Sequence, residues 1–178
     1  SVTPSPCAAA SPRRPPRQTT TPAATRPTSR RPSRSRSVSL TVPEIALVVE
    51  DLRQRVVPAF LHRVRSIPEA GFLLELRVPG ADRLLLVSLE PVASRLVLVE
   101  RGAANGRTAE GFARTLHQTL AGSKLTGLTQ AADDRAVRLE FGARTLALEL
   151  AGRHANAFLL DEAGIIRSSH RPSSSHKR

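Results

Sequence analysis

Two short polar clusters in the second half of the chain contain the residues best placed to do chemistry. One is Asp133-Asp134-Arg135, and the other is Gly152-Arg153-His154-Ala155-Asn156. Both lie between apolar runs of strand length, and polar groups at the tight ends of strands are common binding positions on a rigid scaffold. Adjacent acids at such a tip are more often turn formers than an acid/base pair, so the clusters indicate binding rather than catalysis.

Catalytic and metal sites have little support in the sequence. No serine lies in a nucleophile-elbow context, and no glycine-rich loop is suited to hold a phosphate. The single cysteine is Cys7, so no thiol cluster exists. None of the five histidines has the spacing of a metal-ligand pair; they are His62, His117, His154, His170 and His176. We therefore expect no enzymatic activity, metal, cofactor or small-molecule substrate.

The net charge of +12 is concentrated at the two ends of the chain. Residues 1–40 contain eight Arg, eight Pro, eight Ser, six Thr and no acid, whereas residues 41–167 hold 16 basic and 15 acidic side chains. A segment so poor in large apolar residues cannot offset its ordering entropy by burial. We predict a disordered leader at 1–40, a folded domain at 41–167 and a disordered basic tail at 168–178.

The leader allows three interpretations. Its Arg, Ser and Thr content is typical of an organellar transit peptide. We favour a misplaced gene start or plain disorder, and the functional alternative is a basic arm that binds nucleic acid non-specifically. No apolar run approaches the length needed to span a membrane. We expect a cytoplasmic domain with no membrane partner.

The folded region predicts a β-rich α+β domain, as an antiparallel sandwich or half-barrel with two helices. Thr41, Pro43 and Glu44 indicate the start of a helix over residues 43–57. A second helix is predicted from Thr108 or Ala109 to a C-cap at Gly122. The predicted strands are Ala59–Ser66, Phe72–Val78, Leu84–Leu89, Arg95–Glu100, Lys124–Gln130, Arg135–Phe141, Thr145–Leu150 and Asn156–Asp161.

Residues from about 42 to 167 resemble the N-terminal domain of the NFACT family, which includes bacterial RqcH (fibronectin-binding protein A-like) and eukaryotic NEMF. The resemblance rests on the order of "RLVLVE", "F…L…LAGSKL", "DDRAVRLEF", "LALELAGRHANAFLLD" and "GII". It implies a fold similar to the N-terminal domain of formamidopyrimidine-DNA glycosylases. Full-length relatives carry further domains, so the chain is either a fragment or a degenerate member.

The resemblance also implies a function in ribosome-associated quality control. Family members bind the large ribosomal subunit with an obstructed peptidyl-tRNA and recruit alanyl-tRNA for untemplated tailing. The family's tRNA-binding Asp-Arg pair falls on Asp134 and Arg135, where an Arg fork beside a carboxylate suits a phosphate or a base edge. The alternative is that Asp134 caps a turn and Arg135 is a solvated residue on an edge strand.

Further nucleic-acid contacts are expected only as alternatives to structural roles. For Arg153, His154 and Asn156 we favour shaping of a hairpin over contact with tRNA. The family carries a Leu-Arg-Lys-like signature on the second helix, and here His117 and Gln118 stand in its place. A contact from that helix is therefore weakened, since His is charged only part of the time near neutral pH.

Three other functions remain open at this point. Val42-Pro43-Glu44 resembles the catalytic N-terminus of the glycosylases, but an amide nitrogen within the chain is not a nucleophile. Non-specific nucleic-acid binding through the basic ends is a second possibility. Fibronectin adhesion rests on the family's older name alone, with no secretion signal in the sequence.

Overall fold

The computed structural model describes residues 40–103 and 105–172. Most of the predicted leader and residues 173–178 of the predicted tail lie outside the described residues. In the described ranges the elements follow in the order α1 (Val42–Val56), β1 (Ala59–Ile67), β2 (Gly71–Val78), β3 (Ala81–Ser88), β4 (Arg95–Val99), α2 (Gly111–Leu120), β5 (Lys124–Leu125), β6 (Gly127–Gln130), β7 (Ala136–Phe141), β8 (Arg144–Glu149), β9 (Asn156–Leu160) and β10 (Ile166–Ser169).

Helix α1 begins where the sequence predicts it, because Thr41 and Glu44 form a capping pair. The Glu44 carboxylate accepts hydrogen bonds from the Thr41 backbone N–H at 2.7 Å and from its hydroxyl at 2.8 Å. Pro43 occupies the first turn, where a missing N–H costs nothing. The Thr41 hydrogen bonds hold the pKa of Glu44 below its usual range, and a negative charge at this end complements the helix dipole.

The strands form two antiparallel five-stranded sheets. The first has the order β4-β3-β2-β1-β5 and forms a half-barrel, and the second has the order β10-β9-β8-β7-β6. Residues 124–130, predicted as one strand, are two: β5 pairs with β1, whereas β6 pairs with β7. The chain crosses between the sheets at Thr126, whose N–H and hydroxyl both bind the Glu140 carbonyl oxygen, at 2.8 and 3.2 Å.

The core is built mainly from Leu, Val, Ala and Phe, together with Ile45 of α1. Helix α1 packs mainly on β6 of the second sheet and also contacts β4 of the first, whereas helix α2 packs mainly on β1 of the first sheet and also contacts β10 of the second. The strand alternation is confirmed, since the inward residues of β7 and β8 are buried: Val137, Leu139, Phe141, Leu146 and Leu148. The β-rich α+β class with two helices is confirmed.

Local turns account for the largest shifts in strand boundaries. Strand β3 begins at Ala81 instead of Leu84, because Val78 pairs directly with Ala81 across a two-residue Pro79-Gly80 turn. Gly80 has a φ of 77°, the left-handed conformation that the position after a turn proline favours for glycine. The predicted start of this strand at Leu84 is therefore wrong.

Helix α2 begins at Gly111, later than the predicted Thr108 or Ala109. The preceding segment is held against β1 instead: Ser66 and Arg107 exchange two backbone hydrogen bonds, of 3.1 and 2.8 Å. The Ser66 hydroxyl also accepts from the Glu110 N–H at 2.9 Å. The helix ends at Leu120 with Ala121 as its C-cap, one residue before the predicted Gly122. Gly122 follows with a left-handed φ of 82° and donates to the Leu61 carbonyl oxygen at 2.7 Å.

Strand β10 was not predicted, and it moves the end of the folded region. The predicted boundary after residue 167 lies inside this strand, which pairs with β9. Beyond the strand, His170 donates a backbone hydrogen bond to the Ala157 carbonyl at 2.9 Å. Residues 168–172 are therefore ordered, and the prediction that they belong to a disordered tail is wrong.

Candidate nucleic-acid interface

The turn that carries Asp133, Asp134 and Arg135 joins β6 to β7. Asp133 has a φ of 54°, a left-handed conformation that Asp tolerates better than most residues. The turn is closed by a hydrogen bond of 2.9 Å from the Ala131 N–H to the Ala136 carbonyl. Asp133 is thus the turn-forming residue, as its sequence context predicts.

Asp134 and Arg135 interact through the main chain. The Asp134 Oδ1 accepts a hydrogen bond of 2.6 Å from the Arg135 backbone N–H, so the carboxylate caps the turn instead of orienting the guanidinium. In the described ranges no carboxylate forms an ion pair with Arg135. Asp134 is exposed and Arg135 is partly buried, which leaves one charge of each sign beside the turn.

The strand that Arg135 precedes lies inside the second sheet. Strand β7 lies between β6 and β8, and the Arg135 carbonyl already accepts from the Leu150 N–H at 2.9 Å. The interpretation of Arg135 as an edge-strand residue is therefore wrong. An Arg whose backbone is hydrogen-bonded beside the start of an interior strand is held in position, which suits a fork that must meet a phosphate or a base.

Gln130 fixes this turn to helix α1. Its side-chain amide donates to the Asp134 carbonyl oxygen at 2.7 Å and to the Val42 carbonyl oxygen at 3.1 Å. The start of α1 and the β6–β7 turn are thereby joined by one partly buried side chain. Gln130 could not be predicted from the sequence, because a lone Gln at the end of a strand gives no indication of a contact so distant along the chain.

Gly152, Arg153 and His154 form a single 3-10 turn before β9. Gly152 is buried and its N–H donates to the Ser94 hydroxyl at 3.3 Å. Arg153 and His154 are exposed, and Arg153 Nε donates to His154 Nε2 at 3.0 Å. Both side chains are exposed to solvent, so they remain available for contact with a nucleic acid.

Asn156 has a structural role. Its side chain is only 8% exposed, and its Oδ1 accepts hydrogen bonds of 2.9 Å from the backbone N–H groups of Ala157 and Arg171. Its Nδ2 donates to the Arg171 carbonyl oxygen at 3.1 Å. A buried amide with its oxygen and nitrogen both engaged cannot also bind RNA, so the structure removes Asn156 from the candidate contacts.

His117 lies apart from these clusters, in an open groove between α2 and β1. The imidazole is partly buried, and its Nδ1 has no hydrogen-bond partner among the described residues. The groove has a volume of about 810 Å³ and is lined by four arginines as well: Arg63, Arg65, Arg107 and Arg114. This cluster could not be predicted from the sequence, because its members come from three separate segments of a nearly neutral domain.

Comparison with known proteins decides the family. Residues 43–178 match the model of the NFACT N-terminal and middle domains. The chain belongs to this family. No protein of curated function matches the chain.

Three solved structures share the NFACT N-terminal fold of this chain. The N-terminal domain of the fibronectin-binding protein PavA from Streptococcus pneumoniae is 25% identical with a TM-score of 0.65, over 75% of this chain and 55% of that one. The fibronectin/fibrinogen-binding protein from Streptococcus suis is 22% identical with a TM-score of 0.64, over 73% and 54%. The fibrinogen-binding protein from Staphylococcus aureus is 24% identical with a TM-score of 0.58, over 72% and 55%. The latter two likenesses establish the fold alone, and the chain spans about half the length of these structures.

Pro43, the candidate nucleophile of a glycosylase-like enzyme, lies in the first turn of α1 after Val42, and its nitrogen is an amide. In the described ranges no His, Cys, Asp and Glu side chains are grouped to hold a metal ion. Neither described helix is long and apolar enough to cross a membrane.

Proposed function

We propose that this NFACT domain binds tRNA and the large ribosomal subunit carrying peptidyl-tRNA. It acts as a non-enzymatic module in the rescue of stalled ribosomes and in alanine tailing. The observation that carries the proposal is the β6–β7 turn, where Asp134 and Arg135 stand together at the start of an interior strand. Family membership supports it, because the resemblance of the surrounding motifs to the family implies that its tRNA-binding Asp-Arg pair corresponds to these two residues.

The geometry of the turn suits recognition of a nucleic acid. The Arg135 guanidinium forms no ion pair within the described residues, so its donors are free for an external acceptor. The Asp134 carboxylate uses Oδ1 on the main chain, and Oδ2 can accept from a ribose hydroxyl or a base amine. The Gln130 hydrogen bonds limit the movement of the turn, which lowers the entropic cost of binding.

The test compares tRNA affinity for the wild type, Arg135→Ala and Arg135→Lys. Lys keeps the charge but lacks the planar fork, so both variants should bind tRNA more weakly. We expect the affinity of Arg135→Ala to fall roughly tenfold or more, the scale of one charge-assisted hydrogen bond. The matched control is Arg138→Ala, an exposed Arg on β7, three residues further along the chain. An equal fall in affinity for Arg135→Ala and Arg138→Ala would refute a specific contact between Arg135 and tRNA.

A second candidate, fibronectin binding, draws on the likeness to the PavA domain at 25% identity. That structure is a domain of a fibronectin-binding protein, so adhesion is the alternative to RNA binding. Binding of the purified chain to immobilised fibronectin separates the two. Saturable binding that survives Arg135→Ala and is not displaced by tRNA would favour adhesion.

A further inference from the structure

The groove between β1 and α2 concentrates positive charge in a domain that is almost neutral. Its basic lining residues come from β1, from the segment before α2 and from α2 itself: Arg63, Arg65, Arg107, Arg114 and His117. No acidic residue lines the groove among the described residues. Of the four guanidinium groups, only that of Arg65 pairs with a carboxylate in the described ranges, that of Glu75 on β2. Three arginines therefore face the groove without a neutralising partner.

The loop that forms one wall of the groove is held rigidly to β1. Ser66 and Arg107 exchange backbone hydrogen bonds of 3.1 and 2.8 Å, and the Ser66 hydroxyl binds the Glu110 N–H at 2.9 Å. Gly106 packs directly on the Arg65 side chain, where an added Cβ would lie 2.7 Å from the Arg65 Cβ. The loop can approach β1 this closely only because residue 106 is a glycine.

The groove is shaped for an extended polyanion. Guanidinium groups bind phosphate oxygens through two parallel N–H donors, and here several of them surround one open space of about 810 Å³. Like charges placed together without counter-charges repel one another, so their arrangement favours an anionic occupant. In the described residues Arg114 Nε has the Ala109 carbonyl as its partner at 3.4 Å, a long hydrogen bond that a phosphate would replace with a stronger one.

We propose that this groove binds the phosphodiester backbone of RNA, at a site separate from Asp134 and Arg135. Arg63, Arg107 and Arg114 contact phosphate oxygens, and Arg65 and Gly106 hold the loop in place. Contacts of this kind position a nucleic acid without reading its sequence. Binding in the groove does not require tRNA recognition by the β6–β7 turn, since the groove would bind the backbone of any RNA.

The experiment measures the affinity of the full chain for a short oligouridine over a range of salt concentrations. The groove variant is Arg107→Gln/Arg114→Gln, two exposed side chains. The control is Arg95→Gln/Arg138→Gln, which removes the same charge from exposed positions on β4 and β7. The basic N-terminal region is the same in all three proteins, so its contribution cancels. Thermal unfolding midpoints equal to that of the wild type show that each variant is folded.

The two groove substitutions should reduce the magnitude of the slope of log K for oligouridine binding against log salt concentration by about 1.4, because each phosphate contact with a single strand contributes about 0.7. The affinity of the groove variant at low salt should fall by roughly tenfold. The control should keep a slope close to that of the wild type. Equal slopes in the groove and control variants would overturn the proposal.

Two further arms distinguish RNA binding in the groove from binding of an acidic polypeptide and from binding at the β6–β7 turn. Displacement of oligouridine by polyglutamate at equal charge concentration would assign the groove to an acidic polypeptide and overturn the RNA proposal. An Asp134→Ala/Arg135→Ala variant should keep at least the part of the oligouridine slope that the groove supplies. If that variant binds tRNA no better than oligouridine but keeps the salt dependence that the groove supplies, the turn recognises tRNA and the groove binds the RNA backbone. If it binds tRNA as the wild type does and only the groove variant has a smaller slope, the groove alone binds RNA.

Discussion

Gln130 and Val42 are joined by a hydrogen bond of 3.1 Å, from the Gln130 side-chain amide to the Val42 carbonyl oxygen. The same amide donates to the Asp134 carbonyl at 2.7 Å. One side chain thus connects the first turn of α1 to the turn that carries the candidate tRNA contact. Movement of α1 and of the β6–β7 turn should be coupled through it.

Replacement of Gln130 by Glu should destabilise the domain and loosen the turn. A carboxylate has the same shape but accepts only, so it would face two carbonyl oxygens with no donor. We expect the free energy of unfolding, measured by urea denaturation, to fall by about 1–3 kcal/mol. Gln118→Glu, at an exposed position on α2, is the control and should change it by less than about 0.5 kcal/mol. Similar stabilities for the two variants would show that the Gln130 bridge contributes little.

The Asn156→Ala substitution should weaken the pairing of β10 with β9. The substitution leaves the Arg171 N–H and C=O without their side-chain partners, and unpaired buried groups cost about 1–3 kcal/mol in total stability. Amide hydrogen exchange should therefore accelerate in β10 more than in β7, a strand in the interior of the second sheet. Uniform acceleration across both strands would instead indicate global unfolding without a local anchor.

Leu116→Ala should cost about 2–5 kcal/mol in the free energy of unfolding, because the side chain is fully buried between α2 and the first sheet. The matched control is Leu47→Ala on α1, where the side chain is 74% exposed. That change should cost less than about 0.5 kcal/mol. A small effect for Leu116 would mean that α2 is not anchored by its apolar face, and the groove beside it would then lack a fixed wall.

Acidification should weaken the fold through His170, which packs beside the rings of Phe72 and Phe112 at centroid distances of 6.4 and 6.0 Å. Burial, and secondarily the charge of Arg171, lower the pKa of His170 below 6.5. A base with a lowered folded pKa contributes stability that is present above its unfolded pKa and lost as pH falls through the folded value. Stability should therefore decline below about pH 6.5 in the wild type, and less in His170→Gln.

The carboxylates act in a lower pH window. Hydrogen bonds from Thr41 lower the pKa of Glu44, and those from Gln54 and Ile165 are the first causes of the lowered pKa values of Glu50 and Asp161. Stability from such acids is present above their unfolded pKa and lost as pH falls through the folded value, below about pH 4. If the wild type and His170→Gln have the same stability profile between neutral pH and about pH 5, the assignment to His170 is wrong.

The parts of the fold that local chemistry determines could be predicted from the sequence. The capping pair Thr41 and Glu44 placed the start of α1 to within a residue, and strict alternation placed β7 and β8. Residues 124–130 have the pattern of one apolar strand, because no local feature shows that the chain changes sheets at Thr126. Strand β10 has a single apolar residue at Ile166, and it is positioned by pairing with β9, which its own sequence does not indicate.

The candidate site could be predicted only in part, because some of its features depend on contacts between residues that are distant in sequence. The identity of Asp134 and Arg135 came from an ordered set of motifs, which the family match supports. Their anchoring by Gln130 and the clustering of Arg63, Arg107 and Arg114 depend on contacts between distant segments. A net charge averaged over the domain conceals such a cluster, because acids elsewhere cancel it.

The most direct test of the central claim is co-sedimentation of the full chain with split large ribosomal subunits that carry peptidyl-tRNA. The comparison includes the wild type, Asp134→Ala/Arg135→Ala, and the control Arg138→Ala/Glu149→Ala, which removes one charge of each sign from exposed positions of the same sheet. Recovery of Asp134→Ala/Arg135→Ala should fall roughly tenfold, while the control remains near the wild type. Equal recovery of all three proteins would contradict the claim that this turn binds tRNA on the ribosome.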